Sequence, residues 1–275
     1  MMESFLITSR ETLEASLVVG VVLSYLGRTE QQKYNRVVYY GIGAGLFLSL
    51  ISAFLFTIFA GGFEGRAEEL FEGATMLIAA GLLTTMILWM LKQHHIAKEI
   101  EGKVAKHLAT AQVSNWGTWG LFFLILVAIL REGVETVIFF GAISYTSGIN
   151  WVGGILGIGV AIAVGYLFFV GTRKVNLRKF FTISSMLLIL FAAGLVAHGI
   201  HEFEEAGVVP GIIAPVWNTN SIIDENSIFG SFLKGLFGYN GNPSLTEVGA
   251  YLAYVILIFG RYWRIENFKK SMQKA

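Results

Sequence analysis

The sequence predicts an all-α polytopic membrane protein with seven transmembrane helices. Three observations carry this: 55% of the residues are hydrophobic, only 14% are charged, and seven apolar runs each approach the length that crosses a bilayer. Mean hydropathy is +0.64. Soluble domains are about a quarter charged, and a hydrocarbon core takes about 20 residues of helix. The runs are continuous, unlike the roughly ten-residue alternations of membrane β-barrels.

In chain order the spans are expected at 5–26, 37–60, 70–91, 118–143, 151–171, 181–201 and 246–263. The first follows "MMES", an acidic flank without a basic residue. A secretory signal carries a basic flank, so this run is expected as a retained helix. Basic residues then set the orientation. The 28–36, 92–117 and 172–180 connections and the C-terminal end hold sixteen Lys and Arg, whereas the alternate connections hold only Arg66 and Lys234. The N-terminus is therefore expected outside and the C-terminus in the cytosol. All three prolines, Pro210, Pro215 and Pro243, fall in the outer stretch 207–245, which reads as loop. Within it "SIFGSFLKGLF" is expected as a short interfacial helix.

Composition also removes function classes. A net charge of +1 argues against binding nucleic acid through bulk charge. The absence of cysteine excludes disulfides, thiolate metal sites and cysteine catalysis. Five histidines leave little room for a large histidine cluster.

Short matches recur in order along the chain. "SRETLE" (Ser9–Glu14) and "LREGVE" (Leu130–Glu135) both contain R-E-x-x-E, 121 residues apart. "GIGAG" from Gly41 resembles "GIGVA" from Gly157, and "AAGL" from Ala79 recurs from Ala192. Spans 1–3 and 4–6 are expected to be a duplication. Three spans per copy is an odd number, so the second copy enters the membrane inverted, as in many transporters. The predicted organisation is one domain over 1–275: repeat 1 at 1–91, repeat 2 at 118–206, an outer loop at 207–245, and a seventh helix at 246–263.

The two charged motifs lie where hydrocarbon is expected. A charge at a span centre costs about 2.5–3.5 kcal/mol, so six sum to roughly 15–20 kcal/mol. Some interaction must offset that. On a helix, Glu11 and Glu14 share a face, as do Glu132 and Glu135, while Arg10 pairs with Glu14 and Arg131 with Glu135 at four-residue spacing. Each motif can make one internal ion pair and still present carboxylate oxygens to the other helix. Glu11, Glu14, Glu132 and Glu135 are thus the expected metal ligands, with Arg10 and Arg131 balancing charge. An all-oxygen cage suits hard cations such as Fe3+, Mg2+, Mn2+ or Ca2+. A buried ion-pair cluster that fixes helix register is the structural alternative.

These residues resemble the R-E-G-L-E motifs of the high-affinity iron permease family. The family includes oxidase-dependent iron transporters and the permease of a bacterial elemental-iron uptake system. "EELFEGATMLIAAGLLTTMILWM" is similar to its third span, "AAGLVAHGIHEFEEAG" to its sixth, and "NPSLTEVGAYLAYV" fits its last. The first motif departs from the pattern, with Thr12 where glycine is usual. The resemblance implies seven spans with the N-terminus outside. It also implies an iron ion as transported substrate, expected as Fe3+, and an iron-oxidising or iron-delivering partner outside the cytoplasmic membrane. No resident cofactor and no enzymatic activity are expected. A transporter of Mn2+ or Fe2+ and a membrane di-iron carboxylate oxidoreductase are the alternatives. A homo-oligomer is compatible with the residues.

An acidic entrance is expected at the outer ends of spans 3 and 6. Glu64, Glu68, Glu69 and Glu72 recur at helical spacing in "FEGRAEELFEG", and "HGIHEFEEAG" supplies His198, His201, Glu202 and Glu205, with Glu204 nearby. Such a mouth concentrates cations. "HEFEE" lacks the second histidine of H-E-x-x-H, so a zinc protease is not expected. His94, His95 and His107 are expected as solvated residues on the cytosolic side.

Overall fold

A computed structural model describes residues 1–92, 96–111, 116–169, 177–225 and 227–272. The described residues form helices and turns with no strand. The helices are α1 (Met2–Arg28), α2 (Asn35–Ala60), α3 (Arg66–Lys92), α4 (Ile96–Ala111), α5 (Trp116–Thr146), α6 (Trp151–Phe169), α7 (Leu177–Glu205), α8 (Ile228–Phe237) and α9 (Leu245–Met272). Each of the seven expected spans falls on one of them over its described residues; positions 170–171 of the fifth lie outside these. By length and composition, four stretches can cross a membrane: Gln32–Ala60, Arg66–Trp89, Trp151–Phe169 and Phe180–Glu205. Large apolar side chains such as Phe47, Leu50, Phe54, Ile155 and Ile162 stand exposed on α2 and α6. Exposed apolar surface on this scale needs a nonpolar surround, which lipid supplies.

Two helices lie outside the expected spans. The 92–117 connection contains α4, which buries Val104 and Leu108 against Val22, Leu26, Leu121 and Ile125 at one end of the bundle. Its 3.6-residue apolar spacing was legible, but the charge-rich sequence around it reads as connection. His107 packs its ring against Gly120 of α5 rather than standing free in solvent; His94 and His95 lie outside the described residues. The second is α8, where a helix was expected. Ser227 caps it by accepting from the Gly230 amide at 2.9 Å. Gly238 ends it in the left-handed region at φ +67, where glycine is favoured. Leu236 is buried in the core with Leu6, Leu195 and Ile258, so α8 seals the bundle rather than only lying on a surface.

Packing is dominated by three helix pairs: α1 with α6, α2 with α5, and α3 with α7. Small residues set the first two. A methyl at Gly157 would strike Phe5 O and Thr8 Oγ1, while one at Gly45 would strike Leu126 O and Ile129. A methyl at Gly153 would strike Met1 O, and one at Gly41 would meet Phe122 O. Further along, Gly20 faces the Phe169 ring and Gly141 faces the Phe56 ring. The contacts climb in step along each pair, so α1 runs parallel to α6 and α2 parallel to α5. Close glycine contact lets backbones approach where lipid gives no hydrophobic drive between helices. Thr8 adds a hydrogen bond from Oγ1 to Gly154 O at 2.9 Å. The third pair crosses at Gly73 and Gly199, each pressed on the other's carbonyl.

Alanine at Gly45 or Gly157 should cost about 1–3 kcal/mol by overpacking. Alanine at Gly43 or Gly159, where nothing lies within 4 Å, should cost nothing. Thermal unfolding of the four variants in one detergent checks the contrast; equal behaviour of the two sets contradicts the packing.

Candidate metal site

The site forms where α1 meets α5. Glu11, Glu132 and Glu135 each offer a carboxylate oxygen, and these oxygens lie within 4.8 Å of one another. Glu11 is 2% exposed, and Glu132 is buried beside it with their carboxyl groups in contact. Glu14 stands one turn along α1, within electrostatic range of Glu11, Glu132 and Glu135. Helical spacing does this: three residues separate the acids of each motif, so both face the partner helix.

The arginines take the pairs that spacing implies. Arg10 Nε donates to Glu14 Oε1 at 3.1 Å, and Arg131 Nε donates to Glu135 Oε1 at 2.8 Å. Their surroundings differ. Arg10 is fully buried and reaches Ser185 Oγ of α7 at 3.4 Å. Arg131 is 49% exposed and lines a cavity of about 290 Å³ with Leu82, Thr85, Met86, Trp89 and Glu135. Its guanidinium lies 6.0 Å from the Trp89 ring, a cation–π distance.

After these pairs, three buried oxygens remain without a hydrogen bond: both of Glu11 and Oε2 of Glu132. Two ionised carboxylates offer each other no donor. Taken together, four glutamates and two arginines leave a formal charge of −2 in an apolar bundle. A hard cation bonds carboxylate oxygens at about 2.0–2.6 Å. Oxygens around one such ion therefore stand up to about 4–5 Å apart, which is the spacing here. The donor set fits a small multivalent cation.

The expected entrance residues divide. Glu72 of α3 lies within electrostatic range of Glu202 and Glu205 of α7, and Glu69 within range of Glu202, while Glu68 acts on Glu72 of its own helix. The Gly73–Gly199 crossing draws these helix ends together. Glu64 stands exposed in the turn before α3. His198 is buried, with Nδ1 3.0 Å from Gly194 O of its own helix, and so is satisfied as a core residue. His201 faces two acids: Nε2 lies 3.3 Å from Glu205 and Nδ1 lies 3.2 Å from Glu247. Glu247, Trp89 and Ser185 escaped sequence reasoning. Glu247 hides in "SLTE", which reads as a helix-capping box, and Trp89 and Ser185 become neighbours of the arginines only through tertiary packing.

Residues 1–266 match the family model described as the iron permease FTR1 family. The chain is 34% identical over 256 residues to the ferrous iron permease EfeU of Escherichia coli O6:K15:H31, covering 92% of this chain and 91% of the relative. It is also 34% identical over 255 residues to the protein of that name from Yersinia pestis, covering 92% and 89%. No solved structure matches. A motif pair that gathers buried carboxylates, in a bundle with membrane-crossing helices, is thus accompanied by similarity along nearly the whole sequence: the chain is an integral membrane protein of the iron permease FTR1 family.

Proposed function

We propose that the chain imports iron across the cytoplasmic membrane through the Glu11, Glu14, Glu132 and Glu135 cluster. The observation that carries this reading is the set of buried oxygens with no partner, both of Glu11 and Oε2 of Glu132. An unpaired buried charge costs several kcal/mol, and a bound cation offsets it. Arg10 and Arg131 then hold Glu14 and Glu135 in place and limit the excess charge. All ligands are carboxylates, a hard donor set that favours Fe3+ and suits an iron-oxidising or iron-delivering partner outside the membrane. The relatives are named for ferrous iron, so Fe2+ forms the second arm of the test. A di-iron oxidoreductase is less well supported. Such centres place histidines beside the glutamates, and among the described residues the Glu11–Glu132–Glu135 group contains none.

The pathway follows from a seven-span topology with the N-terminus outside. Iron gathers at the acids of α3 and α7, passes to the central cluster, and leaves on the cytosolic side past the Arg131 cavity. Parity supports the span count. α1 and α6 run parallel, which requires an odd number of crossings between them; α2, α3 and α5 supply three if α4 stays at the surface. Packing also supports the inverted repeat. The α1–α6 contacts at Met1, Phe5 and Thr8 correspond to α5–α2 contacts at Phe122, Leu126 and Ile129, each 121 residues on. Gly20 and Gly141 keep the same interval. In this register Gly157 answers Gly45 and Gly153 answers Gly41, one helical turn from the alignment of Gly41 with Gly157 that the sequence suggested. The Gly-Ile-Gly match misled because glycines recur at four-residue spacing in both helices. Alternating access then arises from one repeat moving against the other.

Three outcomes are expected. Radioactive-iron uptake should fall to background with Glu11→Ala or Glu132→Ala in correctly inserted protein, whether supplied as Fe3+ or Fe2+. Wild-type uptake in both variants refutes the site, and activity with Fe2+ alone refutes the Fe3+ assignment. Arg10→Ala should destabilise the fold by about 3–5 kcal/mol, the cost of breaking a buried pair. Arg131→Ala, being half exposed, should cost about 0–1 kcal/mol; unfolding midpoints measure both. Because the chain has no cysteine, single cysteines at Glu64 and Glu101 report sidedness directly. An impermeant maleimide should label the first from outside and the second only after lysis, and the reverse pattern overturns the orientation.

A further inference from the structure

We propose that His201, Glu204 and Glu247 form a second cation site, for a divalent transition metal, where α7 meets the start of α9. One ligand atom from each lies within 4.8 Å of the others. The site is separate from the central cluster and uses a helix that belongs to neither repeat. Its mixed nitrogen and oxygen donors suit ions such as Fe2+, Mn2+ or Zn2+ better than Mg2+ or Ca2+.

The three side chains are held for this purpose from several directions. Ser244 and Glu247 make a reciprocal cap on α9: the Ser244 amide donates to Glu247 Oε1 at 2.9 Å, and the Glu247 amide donates to Ser244 Oγ at 3.1 Å. Asn240 donates to Glu247 Oε2 at 2.8 Å. Ser244 Oγ also donates to Glu204 Oε1 at 2.9 Å, so one serine orients both carboxylates. Each oxygen so bonded keeps a second acceptor direction. Outer partners of this kind orient carboxylates that bind metals.

A capping box alone does not account for the rest of the arrangement. The cap needs neither Glu204 nor a histidine. His201 stands between two acids, with Nδ1 3.2 Å from Glu247 Oε1 and Nε2 3.3 Å from Glu205 Oε1. A nitrogen and two carboxylates thus converge on one space, and each carboxylate keeps acceptor directions that its protein donors leave open. Among the described residues, no lysine or arginine forms an ion pair with Glu204, Glu205 or Glu247. The acids exceed the one positive charge that His201 can carry. A divalent ion supplies the missing charge and takes the imidazole nitrogen in place of its proton. Placing this site on the entry side rests on the proposed orientation; its ligation does not.

The test uses the full chain in lipid nanodiscs with Glu11→Gln and Glu132→Gln, which removes the central ligands. One equivalent of Mn2+ is added, and pulsed electron paramagnetic resonance reads nitrogen coupling to the ion. We expect coupling from one imidazole, lost with His201→Asn. Glu204→Gln should retain the coupling but weaken Mn2+ binding about 10–100-fold. No Mn2+ binding in the parent protein, or nitrogen coupling that survives His201→Asn, overturns the proposal. Failure of the central site reads separately, as iron uptake that persists with Glu11→Gln and Glu132→Gln.

Discussion

The cost of placing carboxylates in an apolar bundle governs this molecule. Four glutamates and two arginines meet between α1 and α5, and only part of their charge cancels internally. The pairs Arg10–Glu14 and Arg131–Glu135 hold one acid per helix closely, and Arg131 Nε stands farther off, 3.8 Å, from Glu132 Oε1. Glu11 and Glu132 are left facing each other across the interface. A fold that keeps them together must resist their repulsion, and it does so by clamping α1 and α5 between tightly packed neighbours. α6 locks α1 and α2 locks α5, with backbone against backbone at glycines. Van der Waals contact at that range is the main cohesive force available between helices in lipid. The glycine seams and the carboxylate cluster are therefore two sides of one requirement.

The two motifs look equivalent in sequence yet occupy unequal surroundings. Arg10 is sealed against α7, whereas Arg131 borders a cavity beside Trp89. The proposed alternating access needs such inequality, since a site closed on one side and accessible on the other is the definition of a single access state. The cavity touches Glu135 but neither Glu11 nor Glu132. An ion held by all of them would lose its ligands in sequence, starting from the glutamate that borders open space.

Much of this was legible in the residues. Apolar runs located the helices because the bilayer fixes their length. The R-E-x-x-E spacing located the central acids because three- and four-residue steps share a helix face. What sequence left open depended on contacts between distant segments. The α4 helix was hidden among charges, since its apolar stripe covers only the bundle's end. Glu247 serves as a capping residue of α9, and its nearness to His201 emerges only when α7 packs on α9. His198 reads like His201 in sequence, yet it turns to the carbonyl of Gly194. The sequence cannot decide which way two histidines three residues apart will face, because each rotamer is set by its packing.

The pairing of α1 has a consequence for how the protein is made. α1 packs chiefly against α5 and α6, both of which are made long after it. Glu11 and Glu132 are 121 residues apart. At about 5–20 residues per second, translation takes roughly 6–24 s to span that interval. In the proposed topology α1 enters the bilayer during that interval without the helices that will cover its polar face. The Arg10–Glu14 pair is the part of the final charge arrangement that α1 carries within itself. In the proposed topology the arginine of the first motif thus serves a helix that must wait alone, by making it less costly to hold in lipid until its partner is synthesised.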